Sequence, residues 1–274
     1  MLWGRYASRG SEARYPQLWA GRVFGVCPSV QGPAGLNVYD TTGRGKHATI
    51  AVQTAPNAWV RRQGRYAVLL NASGRDCINA GTLAGYVDYD LTVCCWVRKL
   101  ASTSGATYNN IWGIARWLSG GSAGSNEYSL GIGNGDTGNN DIPTSAIEIG
   151  TTIHSLVGTT AITLNQWQHI ALVRRGTSLV QYLDGKPNGS TTCGSGAIQN
   201  RSRNLKIGDS DIGVDLGAGT NAEFDDIAVY NRGLTEGEIR LLATRRGIAY
   251  EARRDVFGGT TANRLRRILC GGNC

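Results

Sequence analysis

Long apolar runs are missing from this sequence. No stretch approaches the ~18 residues that a membrane-spanning helix needs, and no heptad pattern persists to suggest a coiled coil. Proline is scarce, at 6 of 274 residues, as are histidine, at 3, and charged residues, at 18%. Hydrophobic residues still make up 41%, too many for a disordered chain. The three histidines supply no Ser-His-Asp set and no histidine-rich metal site. No internal repeat of about 20–50 residues is visible, which excludes solenoids and propellers. Residues 1–20 have no apolar stretch behind a basic start, so no secretory signal is expected.

Lysine is nearly absent too. Only Lys46, Lys99, Lys186 and Lys206 contribute to the 28 basic residues, and the rest are arginine, the side chain suited to bidentate pairing. The formal charge of +8 is unevenly spread: residues 1–23 carry a net +3, residues 245–274 a net +5, and the middle is neutral. A folded surface that holds nucleic acid more often spreads its positive charge as a patch or stripe. Here the termini carry it, so arms of residues 1–21 and 246–274 flanking one domain of residues 22–245 are expected, docked on the domain or on a partner.

Glycine is abundant, 39 residues or roughly 14% against a typical ~7%. Between residues 22 and 232 short β-type runs alternate with Gly/Asn/Asp/Ser clusters, which predicts an all-β sandwich or jelly roll. Strands are expected at Tyr66–Leu70, Leu91–Val97, Ile111–Ala115, Tyr128–Ile132, Ala146–Gly150, His169–Arg174, Leu179–Leu183, Leu205–Ile207 and Phe224–Tyr230, with Asp184-Gly185 as a turn. One helix should follow Leu234, capped by Thr235 with Glu238 closing a capping box, and run to about Arg245. Trp96 and Trp167 are expected to fill the space between the two sheets, with Val180, Tyr182 and Leu183 as partners. Polar loops over 101–107, 119–126 and 133–141 are candidate binding segments. Of the seven cysteines, Cys27, Cys77, Cys94, Cys95, Cys193, Cys270 and Cys274, the neighbours Cys94 and Cys95 read as small buried hydrophobes and Cys270 and Cys274 could pair with each other or across a subunit interface, with no disulfide framework.

Four segments together resemble the laminin-G-like, concanavalin A-like jelly-roll family that includes the pentraxins. They are Asn37–Ile50 (NVYDTTGRGKHATI), Leu91–Val97 (LTVCCWV), Asn165–Val173 (NQWQHIALV) with Gln181–Gly185 (QYLDG), and Leu205–Gly208 (LKIG) with Phe224–Leu234 (FDDIAVYNRGL). The resemblance covers about residues 22–244. It implies a sandwich of two antiparallel sheets with one short C-terminal helix and extended terminal arms. Members often carry a structural calcium near the opening loop, and the resemblance offers Asp40 and Asp225 as ligands with carbonyls around Gly43, Asp226 being an alternative. Against this, Lys46 stands where the family usually has Asn. Asp40 would otherwise cap its turn, and Asp225 would pair with Arg232 or Arg44.

The same architecture houses glucanases that need carboxylates in an E-x-D-x-(x)-E strand. Glu223 and Asp225 supply two of the three, but the last position falls on Ile227 or Ala228. No enzyme and no catalytic residue are therefore expected. Gly43-Arg-Gly45-Lys46 is no phosphate loop, because Asp40 occupies the earlier glycine position and His47 follows the lysine.

The lead-in Leu18–Ser29 with Gly32–Leu36 resembles that of this domain in uncharacterised proteins of bacteriophages and environmental bacteria. It points to a virion structural protein, a capsid decoration or a tail or spike component located at the virion surface. Its partners would be virion proteins, further copies of itself and host cell-surface glycans, with no membrane partner. Arg253, Arg254, Phe257, Arg264, Arg266 and Arg267 in the C-terminal arm would hold the protein partner. Nucleic acid is not expected, since no aromatic stacking platform accompanies the charge. The alternative is a calcium-assisted carbohydrate-binding module of an extracellular bacterial surface protein.

Overall fold

The computed structural model describes residues 10–51, 58–71, 76–83, 87–101, 111–114, 127–133, 141–200, 204–208 and 221–253. Within them run β1 (Arg22–Val26), β2 (Asn37–Val38), β3 (Ala48–Ala51), β4 (Trp59–Arg62), β5 (Arg65–Leu70), β6 (Cys77–Thr82), β7 (Leu91–Lys99) and β8 (Ile111–Ile114). There follow β9 (Tyr128–Ile132), β10 (Pro143–Ile149), β11 (Thr152–Val157), β12 (Gln168–Arg175), β13 (Ser178–Leu183), β14 (Lys186–Thr192), β15 (Asn204–Ile207) and β16 (Ala222–Tyr230). The helices are α1 (Pro28–Gln31) and α2 (Glu236–Leu242).

The strands form two eight-stranded antiparallel sheets. The first has the order β14-β13-β12-β7-β16-β5-β4 with β1 also against β16, and the second the order β11-β10-β9-β8-β15-β6-β3-β2. This is the jelly-roll sandwich expected, and all nine strands read from the sequence are present. Of the strands that the pattern missed, β1, β6 and β14 carry strand-breaking residues. In β14, Pro187 is tolerated because the strand lies at the sheet's edge, where a missing N–H costs no ladder bond.

Strand alternation divides β7 cleanly. Leu91, Val93, Cys95 and Val97 join the core between the sheets, while Cys94 joins a second apolar cluster on the opposite face. That outer cluster contains Leu18, Tyr182, Ala228, Tyr230, Ile239, Leu242, Ile248 and Tyr250. The first sheet is thus covered on both faces, by the second sheet and by terminal segments. Trp96 and Trp167 therefore do not fill the gap between sheets as expected. Trp96 shares the outer face with Cys94, packs edge-on to His169 at 5.7 Å and donates its indole N–H to the carbonyl of Leu242 at 3.2 Å. Val180 and Tyr182 lie on this face as well, and only Leu183 points inward. Alternation sorts residues into two faces, but with both faces apolar it does not say which one meets the other sheet.

Residues 10–21 and 246–253 run side by side across this face. Arg14 N–H donates to the carbonyl of Glu251 at 2.6 Å, Arg253 N–H to that of Glu12 at 2.9 Å, and Ala13 bridges Ala252. Trp19 donates to the carbonyl of Ala249 at 2.7 Å and meets the Tyr250 ring edge-on. Stretches assigned to both arms by sequence are thereby part of the packed body.

The capping box of α2 is present: Thr235 Oγ1 accepts from Glu238 N–H while the Glu238 carboxylate accepts from Thr235 N–H. The helix ends at Leu242 rather than near Arg245. Gly247 adopts φ 74°, turning the chain back so that its N–H reaches Asp226 Oδ2 at 2.9 Å. Cys27, Cys77, Cys94, Cys95 and Cys193 are buried and form no disulfide, and no helix among the described residues is long and apolar enough to cross a membrane.

Candidate functional site: a charged cleft beside the terminal latch

The chemistry gathers on the outer face of β16. Up to Phe224 this strand pairs with β5, and from Ile227 onward with β1. At the change of partner a bulge places Asp226 at φ 45° and breaks the strict alternation, so Asp225 and Asp226 both serve the outer side. Asp225 Oδ1 accepts from Ser29 N–H at 3.0 Å and Asp226 N–H at 2.9 Å, and Oδ2 lies 3.3 Å from the Arg246 guanidinium. Asp226 faces Arg22 at 3.6 Å. Arg22 is itself buried, donates to the Tyr250 hydroxyl at 2.6 Å and lies over that ring. A Cβ on Gly25 would sit 2.2 Å from Arg22 Nε, so only glycine leaves room for this guanidinium. Two terminal segments are latched to one strand by buried arginine–carboxylate pairs.

Burial, and then the neighbouring Asp226 charge, push the Asp225 carboxyl up to about 6, against the pull of Arg246. A carboxyl raised by the fold stabilises it most fully below the unfolded pKa of about 4, and this contribution is lost as pH rises through 6. Asp225→Asn should therefore gain stability relative to wild type, by on the order of 2 kcal/mol, between pH 4 and pH 7. Denaturant unfolding of both proteins across that range checks it, and a flat difference would contradict the shift. His169 is buried, pushed down to about 3 and hence neutral.

The residues offered as calcium ligands do not suit calcium. Asp40 Oδ1 accepts from the N–H groups of Gly25 and Thr42, both at 3.1 Å, and Oδ2 accepts from the Thr42 hydroxyl at 2.6 Å. Asp40 thus caps its turn, and Asp225 faces an arginine, though Arg246 rather than Arg232 or Arg44. N–H donors and a guanidinium already engage the oxygens that a hard cation would require. Gly43 occupies a left-handed turn position with φ 79°. Among the described residues no group of three or more His, Cys, Asp or Glu is placed to hold a metal ion.

One step along β16, Glu223 lies on the same face as Asp225, as period two requires. Fully buried, it accepts at Oε1 from Arg62 Nε at 2.8 Å and Arg98 NH1 at 3.1 Å, leaving Oε2 without a hydrogen bond. The two arginines border a cleft of about 430 Å³ completed by Gln63, Asn165, Gln166 and Trp167. Gln63-Gly64 is the tight turn of the β4–β5 hairpin, with φ 51° and 78°, and it puts the Gln63 side chain on the rim. Arg98 Nε donates to the carbonyl of Asn165 at 2.9 Å, pinning the opposite rim. The Arg246 guanidinium stacks 4.1 Å from the Trp167 ring centre, and the buried indole N–H of Trp167 has no partner. Sequence reasoning missed this arrangement; its one signal was the excess of arginine over lysine.

A family model described as the concanavalin A-like lectin/glucanases superfamily matches residues 72–240, well over half of the chain. The chain belongs to that superfamily. No curated protein matches it. Among solved structures, this concanavalin A-like chain is similar to the binding domain of Paraclostridial Mosquitocidal Protein 1, with a TM-score of 0.57 and 14% identity over 83% of this chain and 52% of that one. It is similar to domain 4 of an extracellular arabinanase from Geobacillus stearothermophilus, solved with arabinotriose, with a TM-score of 0.57 and 17% identity over 81% and 98% of the two chains. The botulinum neurotoxin type G receptor binding domain gives a TM-score of 0.56 and 14% identity over 82% and 51%. The chain spans about half the length of the two toxin domains, and identities this low show the fold alone.

Of the arm residues expected to bind a partner, Arg253 donates through Nε to the carbonyl of Ala13 at 3.1 Å. Arg254, Phe257, Arg264, Arg266 and Arg267 lie outside the described residues, as do the loops at 102–107, 119–126 and 134–140. His47 and His154, for which the sequence suggests no partner, accept from the N–H groups of Asp40 and Gly194.

Proposed function

We propose that this chain is a non-enzymatic, lectin-like jelly roll that binds carbohydrate, carried on a virion surface as a capsid decoration or a tail or spike component. The cleft between Arg62 and Trp167 carries the binding reading. Its guanidinium and carboxamide groups offer converging donors and acceptors beside the Trp167 ring, the mixture that orients a polyhydroxylated ligand. Neighbours named as binding and receptor-binding domains, and one solved with a bound arabino-oligosaccharide, support it. The non-enzymatic part rests on Glu223 and Asp225, which are buried and face arginines instead of an open substrate groove. Support for the virion part is the resemblance of the N-terminal lead-in together with the basic C-terminal stretch.

A glycan array probed with the full-length protein tests the binding reading. Retention of at least one glycan class, with no reducing-sugar release, is the expected result. An array blank at high protein concentration would remove the lectin reading.

A further inference from the structure

We infer that the cleft selects a sugar bearing a carboxylate, through Arg62 and Arg98; this rests on the carbohydrate-binding reading and narrows it. Arg62, Arg98 and the Glu223 beneath them leave one net positive charge at the cleft, while Arg246 and Asp225 balance each other nearby. Arg62 is held at one nitrogen and keeps its terminal edge whole, whereas Arg98 is held at two nitrogens by two different acceptors. Arg62 uses Nε and Arg98 uses Nε and NH1, which leaves the terminal nitrogens of Arg62 and NH2 of Arg98 uncommitted. Their side chains are 47% and 21% exposed, whereas Glu223 is completely buried, so a ligand meets the cations and not the anion.

That is a preorganised receptor for a planar carboxylate. The buried glutamate fixes two guanidinium planes that would otherwise lose rotamer freedom on binding, and guanidinium matches carboxylate through paired N–H···O bonds. The remaining groups suit sugar hydroxyls. Gln63, Asn165 and Gln166 present carboxamides along the cleft. A free inorganic anion would use the arginines but not these three amides. The volume of about 430 Å³ suits one or two sugar rings, which favours a terminal residue over the middle of a long chain.

The probes are the methyl glycosides of D-glucuronic acid, D-galacturonic acid and N-acetylneuraminic acid, each beside a neutral or carboxyl-reduced counterpart, titrated into the full-length protein by calorimetry. At least one acid is expected to bind at least tenfold more tightly than its neutral form. Arg62→Gln should abolish that preference while, at a half-exposed position, leaving the melting temperature within a few degrees. Equal binding of acid and neutral forms, unchanged by Arg62→Gln, would overturn the carboxylate inference and leave the lectin reading standing. No binding of any sugar here, together with a blank glycan array, would remove both. Inorganic phosphate binding as well as the best acid sugar would also overturn the inference, since it would show an anion site without sugar selectivity.

Discussion

Replacing Arg22 by methionine should lower the unfolding free energy by about 3–5 kcal/mol, the cost of leaving a buried charge without its partner. Asp226 is 4% exposed and faces Arg22, and burial already raises its pKa before Arg22 and the Gly247 N–H pull it back. Methionine fills most of the volume over Gly25 but supplies no charge, and it strips the Tyr250 hydroxyl of its 2.6 Å donor. For a domain of this size the loss corresponds to roughly 6–20 °C in melting temperature. The double variant Arg22→Met/Asp226→Asn should recover much of it, because the uncompensated carboxylate is gone. Thermal unfolding of the two variants decides the matter. A single variant as stable as wild type would mean that the pair contributes nothing to the latch.

Ending the chain after Arg245 should have a larger effect. It removes Ile248, Ala249 and Tyr250, all buried, and uncovers Leu18, Tyr230 and Leu234 on the outer face of the first sheet. Deleting one large buried aromatic side chain alone costs about 3–5 kcal/mol. Loss of the Gly247 N–H to Asp226, of Arg246 beside Asp225 and of the Ala249 carbonyl to Trp19 adds to this. The total is comparable with the whole stability of a domain, about 5–15 kcal/mol. The shortened chain should therefore not give a soluble folded monomer by light scattering and circular dichroism. A chain ended after Arg253 keeps each of these groups and should fold. If the basic stretch that follows is a virion anchor, this longer chain should also fail to sediment with assembled particles. Equal folding of the two truncations would show that residues 246–253 lie on the sheet without supporting it.

Much of the fold was legible because alternation and capping are local. The runs Leu91–Val97 and Phe224–Tyr230 announce themselves by period two, and Thr235 with Glu238 announces α2 within four residues. What the pattern hid has physical causes. Strands β6 and β14 hold glycine, asparagine or proline at positions where pairing tolerates them. Trp96 and Tyr182 look like inter-sheet core because the sequence records an apolar face without saying what covers it. The site was harder still, since its pairs are remote: Arg62 and Glu223 are 161 residues apart and Arg22 and Tyr250 are 228. No spacing rule reaches that far, and both carboxylates look in sequence like remnants of a catalytic strand or ligands for calcium.

By itself the sequence determined an all-β jelly roll of the concanavalin A-like kind, because strand period, turn dipeptides and motif order are written in neighbouring residues. Only the tertiary structure decided that both terminal segments close the outer face of the first sheet. It alone decided that arginines from β1, β4, β7 and the turn after α2 meet the carboxylates of β16, leaving a cleft with positive charge at its edge. Pairing of distant charges depends on which strands become neighbours, and that is set by burial of the whole core rather than by any one segment.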